Sequence, residues 1–180
     1  MTDLFPDFIP PVLVVLSIGI NPSPHALRSG YPFAFARNRF WPALNGSRLL
    51  DEALQPGVAA MVVLGERYGF GFTDVVKRAT PGMKNLKAAD YDADAPLLLA
   101  KIRRHRPAVL WFHGKVAARE FLTRIEKDGP DLGWGEQGRR IEGACVYISP
   151  NPSPANASYS VADLIASYNG LAALRARLGV

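Results

Sequence analysis

Val12-Leu13-Val14-Val15-Leu16-Ser17-Ile18-Gly19-Ile20-Asn21-Pro22 is an apolar run that stops on a glycine and opens into an amide held between that glycine and a proline. The stretch Val12 to Ile18, rich in β-branched side chains and bounded by Pro11 and Gly19, predicts a central strand buried on both faces. A polar loop at the carboxyl end of such a strand stands where open α/β sheets build their ligand sites. Ala108-Val109-Leu110-Trp111-Phe112 predicts a second central strand, followed by His113-Gly114-Lys115 and a helix through about Arg124. Ala144-Cys145-Val146-Tyr147-Ile148 is a third apolar run. It too leads into an Asn-Pro pair, Asn151-Pro152, and Arg139-Arg140-Ile141 before it suggests a hairpin turning at Glu142-Gly143.

Helical patterns fill the intervals. Asn38 suits the cap of a helix that carries Phe40, Trp41 and Leu44 on one face, with Pro42 in its first turn. The leucine and alanine content of Leu49 to Leu64 predicts a helix, although Met61-Val62-Val63-Leu64 alone also fits a strand. Gly69 to Val76 predicts a loop entering a short strand. Ala95 to His105 predicts a helix with Lys101, Arg103 and Arg104 towards the end where the dipole favours cations, and Asp163 to Leu178 a closing amphipathic helix. Strands alternating with helices predict a three-layer α/β/α sandwich with a largely parallel sheet, as one domain over residues 1–180.

Composition narrows the function classes. The chain is 48% hydrophobic, enough for a sizeable core, and its net charge of +5 favours a polyanionic partner. The single cysteine, Cys145, excludes an intrachain disulfide and a cysteine-rich metal site, which agrees with a reducing, cytoplasmic location. No apolar stretch reaches membrane-spanning length, and Met1 to Asp7 lacks the basic start of a signal peptide.

Three loops leave the carboxyl ends of the expected strands and should open on one sheet edge: Asn21 to Arg37, His113-Gly114-Lys115, and Ser149 to Ser160. The last joins proline-stiffened turns to small hydroxyl and amide residues, a combination that suits close approach to phosphates and equally an ordinary strand-to-helix connection. The first carries Tyr31, Phe33 and Phe35 among Arg28, Arg37 and Arg39, as stacking on a base between phosphate contacts would require, or as pinning of a loop onto a core would. Lys115, at a helix start beside free backbone donors, suits a phosphate, or a plain surface position. His25 suits a contact to base or sugar, or a plain surface position. His105 suits compensation of a helix dipole.

Gly19-Ile20-Asn21-Pro22, then Gly30-Tyr31-Pro32-Phe33, then Asn38-Arg39-Phe40-Trp41, resembles the first motif region of the mismatch-specific uracil/thymine-DNA glycosylases, in the uracil-DNA glycosylase superfamily. Gly71-Phe72-Thr73-Asp74-Val75-Val76-Lys77-Arg78-Ala79-Thr80-Pro81-Gly82 is similar to that family's middle segment, and Asn151-Pro152-Ser153 to its second motif. The resemblance implies a four- to five-stranded sheet and hydrolysis of the bond between deoxyribose and a flipped-out base. It implies that Asn21 holds the attacking water and that Phe33 stacks on the base. Gly19, Ile20, Tyr31 and Asn151 would line the base site. Ser153, Pro154, Ala155 and Asn156 would enter the minor groove and fill the gap the base leaves. Asp74 stands where family members vary among side chains facing the pyrimidine; a carboxylate there would accept the N3 proton of uracil or help to orient the water, the other reading being a solvated turn aspartate.

An amide is a poor base, so the chemistry must lean on departure of uracil as an N1 anion, which requires neither metal nor other cofactor. Two features depart from the family pattern. Ser23-Pro24-His25 follows the first Asn-Pro where a glycine is usual, and the wedge positions Pro154, Ala155, Asn156 and Ala157 are small. Small wedges predict weak readout of the opposite guanine and activity on single strands. The expectation is therefore a monomeric DNA glycosylase acting on G:U mismatched or single-stranded DNA. A non-catalytic nucleic-acid-binding module and a hydrolase of free nucleosides are the other classes.

Overall fold

The computed structural model describes residues 5–126 and 131–180, so Met1 to Leu4, where the signal-peptide reading begins, lie outside the described residues. The apolar runs become β1 (Val15–Gly19), β2 (Phe70–Asp74), β3 (Val109–His113), β4 (Gly135–Ile141) and β5 (Ala144–Ser149). They form one sheet in the order β2-β1-β3-β5-β4. β1 runs parallel to β2 and β3, β3 parallel to β5, and only β4 is antiparallel. This is the five-stranded, largely parallel sheet expected. The β4–β5 turn falls at Glu142 and Gly143, both at positive φ (49° and 87°), as a tight two-residue hairpin demands.

Alternation along the strands serves two helical layers. Leu16, Ile18, Leu110, Phe112, Val146 and Ile148 face one core, shared with α4 (Ala88–His105) and α5 (Lys115–Ile125). Val15, Phe70, Phe72, Val109, Trp111, Cys145 and Tyr147 face the other, shared with α2 (Phe40–Gly46), α3 (Val58–Tyr68) and α6 (Val161–Leu178). Cys145 is thus a buried core side chain.

Four boundaries differ from the sequence reading. β1 begins at Val15 rather than Val12, level with the first paired residues of its neighbours, Phe70 of β2 and Val109 of β3. Helix does not begin at Leu49: Pro56 disfavours helical backbone before it, Gly57 takes φ 158°, and α3 starts at Val58. α4 begins seven residues ahead of Ala95, since Asp90 accepts the Lys87 N–H and caps a turn upstream of Pro96. The segment Asn21 to Arg37 is not all loop. Ser23 and Pro24 start α1 (Pro24–Ser29), the Ser23 Oγ accepting the Ala26 N–H, and Gly30 at φ 76° ends it.

Phe121 of α5 is fully buried against β3. Phe121→Ala is expected to lower the unfolding free energy by about 3–5 kcal/mol in a denaturant titration. A loss below about 1 kcal/mol would mean that the α5 layer is not packed as described.

Candidate active site

Parallel register brings the last side chains of four strands into one row. Gly19 pairs with Asp74 and His113 with Ser149, and the pairing of Ile18 with Phe112 sets the two pairs level. Because side chains alternate, these positions continue the face that carries Val15, Trp111 and Phe72, and here that face emerges from its helices into a cavity of about 970 Å³. All three expected loops contribute to its walls.

Asp74 lies on this row with Gly19 opposite. A Cβ at Gly19 would come 2.4 Å from the Asp74 Oδ1, so only glycine leaves room for the carboxyl. Burial pushes the Asp74 pKa up to about 7; the charge of Asp7 adds to the rise, and Lys77 and Lys101 oppose it. Asp7 itself ties those groups together. Its carboxylate accepts from Thr73 Oγ1 at 2.5 Å and Lys77 Nζ at 2.9 Å and pairs with Lys101. Burial would raise the Asp7 carboxyl, but these hydrogen bonds together hold it below the ordinary range.

His113 ends β3 at the cavity wall. Its Nε2 shares a 2.8 Å hydrogen bond with Ser17 Oγ, its Nδ1 has no partner among the described residues, and burial lowers its pKa to about 3, so the ring is neutral at physiological pH. The sequence reading treated His113 only as the start of a loop. The available signal was its position as the last residue of a strand ending on the ligand edge.

The Asn21 amide is oriented by what it donates to. Nδ2 reaches Thr80 Oγ1 at 2.7 Å, Arg78 O at 3.1 Å and Pro22 O at 3.2 Å, and two carbonyls among the partners fix the NH₂ end. Thr80 Oγ1 in turn donates to Gly82 O at 2.9 Å. Among the described residues the Asn21 Oδ1 accepts no hydrogen bond. Phe33 has φ 57°, a left-handed conformation that costs a bulky residue about 1–3 kcal/mol. Its ring stacks on Phe40, centroids 4.1 Å apart and 15° from parallel, and meets the edge of His113 at 5.0 Å. Tyr31 does not line the cavity. It is turned back onto Trp41, centroids 6.3 Å apart, and joins the core on that side.

The second loop is tied to the first by Arg39. Its guanidinium donates to the carbonyls of Ser153 at 2.7 Å and Pro152 at 3.4 Å and to those of Asn156 and Tyr159, while its backbone N–H reaches Pro152 O at 3.1 Å. Arg39, expected beside a phosphate, is instead spent on carbonyls, and among the described residues no carboxylate pairs with it. Asn38 still accepts the Phe40 N–H, although α2 starts one residue later than a cap at Asn38 implies. Within the loop, Asn151 Oδ1 accepts the Ser153 N–H and Asn156 Nδ2 donates to Asn151 O. The Gly114 N–H to Ser149 O bond, 2.7 Å, fastens this loop to the start of α5.

Asn151, Ser153, Ala155, Asn156 and Lys115 all border the cavity with Gly19, Ile20, Asn21, Phe33 and Asp74; Pro154 stands exposed outside it. His25 is turned to Phe35, which is 41% exposed and lies beneath the Arg37 guanidinium. Among the described residues no cluster of three or more His, Cys, Asp or Glu is arranged to hold a metal, and no helix is long and apolar enough to cross a membrane.

Arg39→Ala is expected to accelerate amide exchange across residues 153–160 by about tenfold or more, since one hydrogen bond to a charged group contributes about 1.5–3 kcal/mol. Unchanged exchange would show that the clamp does not order the loop.

The fold is similar to the solution structure of a candidate uracil DNA glycosylase from Methanosarcina acetivorans, at 16% identity over 95% of this chain and 98% of that one, with a TM-score of 0.62. At that identity the likeness is one of fold. The sequence model of the uracil DNA glycosylase superfamily matches residues 6–171, a span that contains all five strands and every residue of the cavity lining but Phe5. The chain therefore belongs to the uracil DNA glycosylase superfamily.

Proposed function

We propose that this protein is a monofunctional glycosylase that excises uracil from G:U mismatched or single-stranded DNA and leaves an abasic site. The observation that carries this reading is the convergence of Asn21, Phe33, Asp74 and Asn151 on one cavity at the carboxyl edge of a parallel sheet. Extruding a base costs a few kcal/mol, least where pairing is already weak, and stacking it on Phe33 returns about 1–3 kcal/mol. The ionised Asp74 carboxylate accepts the N3–H of uracil, so pairing with Gly19 sets the reading edge at the depth of the sheet. The N1–C1′ bond breaks with its electron pair leaving on uracil. A water held by Asn21 Oδ1 adds to the oxocarbenium-like C1′ and gives up its proton to solvent. Donors fixed around the base carbonyls stabilise the leaving anion in a site poor in water. The enzyme works as a monomer, in the cytoplasm, and needs no cofactor for these steps.

Incubation with a uracil-containing duplex or single strand, followed by alkali, is expected to cleave the strand at the uracil. No cleavage with G:U, A:U or single-stranded uracil, while DNA is still bound, would select the non-catalytic nucleic-acid-binding module instead. Asn21→Ala is expected to lower the single-turnover rate by about 10²-fold or more with DNA affinity retained. A mutant as fast as the parent removes Asn21 from the mechanism.

The Asp74 role predicts a pH profile. The carboxyl is mostly protonated below pH 7 and ionised above it. Excision of uracil should therefore rise through about pH 7 and then level off, and Asp74→Asn should abolish that inflection. A parent profile flat between pH 6 and 8 would remove the Asp74 carboxylate from uracil recognition.

A further inference from the structure

Trp134 is 42% exposed, whereas the chain's other tryptophans, Trp41 and Trp111, are 3% and 0% exposed. It stands at the mouth of the cavity with two other residues from separate segments. Tyr159, from the loop after β5, meets the indole at a centroid distance of 5.3 Å and an angle of 74°. Lys115, at the start of α5, holds its Nζ 4.7 Å from the indole centroid.

The backbone beneath Trp134 is braced. Gln137, itself buried, donates from Nε2 to Gly133 O at 3.2 Å and Gly135 O at 2.9 Å and accepts the Gly133 N–H on Oε1. Gly135 takes φ 83°, and Leu132 is buried on the other side. The two glycines flanking the indole are thus fixed by one side chain, so its exposure is built into the fold. Aromatic faces beside a cation, at the rim of a cleft, have the chemistry that binds unstacked bases and their phosphates.

We propose that Trp134, Tyr159 and Lys115 form a second nucleobase subsite. The indole stacks on the base adjacent to the excised one, and Lys115 Nζ takes the phosphate joining the two nucleotides. This rests on the reading of the cavity as a base-excision site. A base offers its face to an indole only when it is unstacked from its neighbours, so the subsite favours single strands. The small residues Ala155 and Asn156, which also border the cavity, suit the same substrate, since neither fills the space a flipped base leaves in a duplex.

Because Trp134 is the exposed tryptophan of the three, its fluorescence reports the stack directly. Titration with uracil-free single-stranded oligothymidine is expected to quench emission saturably. Trp134→Phe should keep the affinity and lose the quench, because a phenyl ring still stacks. Trp134→Ala should weaken single-strand binding by about 5- to 150-fold and duplex binding of equal length far less. Binding without quench, unchanged affinity in Trp134→Ala, or equal loss on both DNA forms would overturn the subsite. Because oligothymidine carries no uracil, excision is assayed separately. Quench without excision on any uracil substrate would overturn the glycosylase reading and leave the subsite standing; excision without quench would do the reverse. No DNA binding at all would overturn both.

Discussion

The pairing of β1 with β2 on one side and β3 on the other sets the height at which the chain emerges from the sheet, and the site depends on it. A parallel ladder sends successive loops out at the same edge, and a side-chain period of two means that one residue of slippage would turn Asp74 and His113 into the opposite core. The register is held by apolar residues well below the cavity, Val15 and Leu16 against Phe70, Val109 and Leu110, all nearly or wholly buried. Packing in the core therefore fixes polar geometry at the rim. The Gly19–Asp74 contact is the closest expression of this: a carboxyl fits because the facing strand has no side chain at that level.

On that frame the two Asn-Pro loops are made rigid by different means. Asn21 is secured through the middle segment, by Thr80 and the Arg78 carbonyl. The second loop is gathered by Arg39, whose donors draw the carbonyls of Pro152, Ser153, Asn156 and Tyr159 inward, while the amides of Ser153, Ala155 and Asn156 are met by acceptors within the loop. Each loop is thus held by a residue from elsewhere in the chain.

The sheet was legible in the sequence because buried parallel strands are continuous apolar runs, as at Val109 to Phe112, and the polar residues that end them mark the ligand edge. Asn21, Phe33 and Asn151 follow from that edge together with family resemblance. What was not legible depended on three-dimensional neighbours. Tyr31 and Phe33 are two residues apart, yet the left-handed backbone at Phe33 sends one ring to Trp41 and the other to the cavity. Arg39 looks like its neighbour Arg37 in the sequence, and only the approach of the second loop supplies the carbonyls it binds. Ser23-Pro24 departs from the family's glycine because it starts a short helix, a role visible once Ser23 is seen to accept the Ala26 N–H.

The neutral His113 and the half-buried Asp74 also balance each other in the proton ledger of folding. His113 falls from an ordinary 6.5 to about 3, so between those values the unfolded chain binds a proton the native one lacks, and stability rises with pH. Asp74 rises from 3.8 to about 7, so over that interval the native chain holds the extra proton, and stability falls with pH. The windows overlap from about pH 4 to pH 6.5. There, unfolding takes up a proton at one wall of the cavity and releases one at the other, and a pocket of two strongly shifted groups leaves the net proton count of the transition almost unchanged.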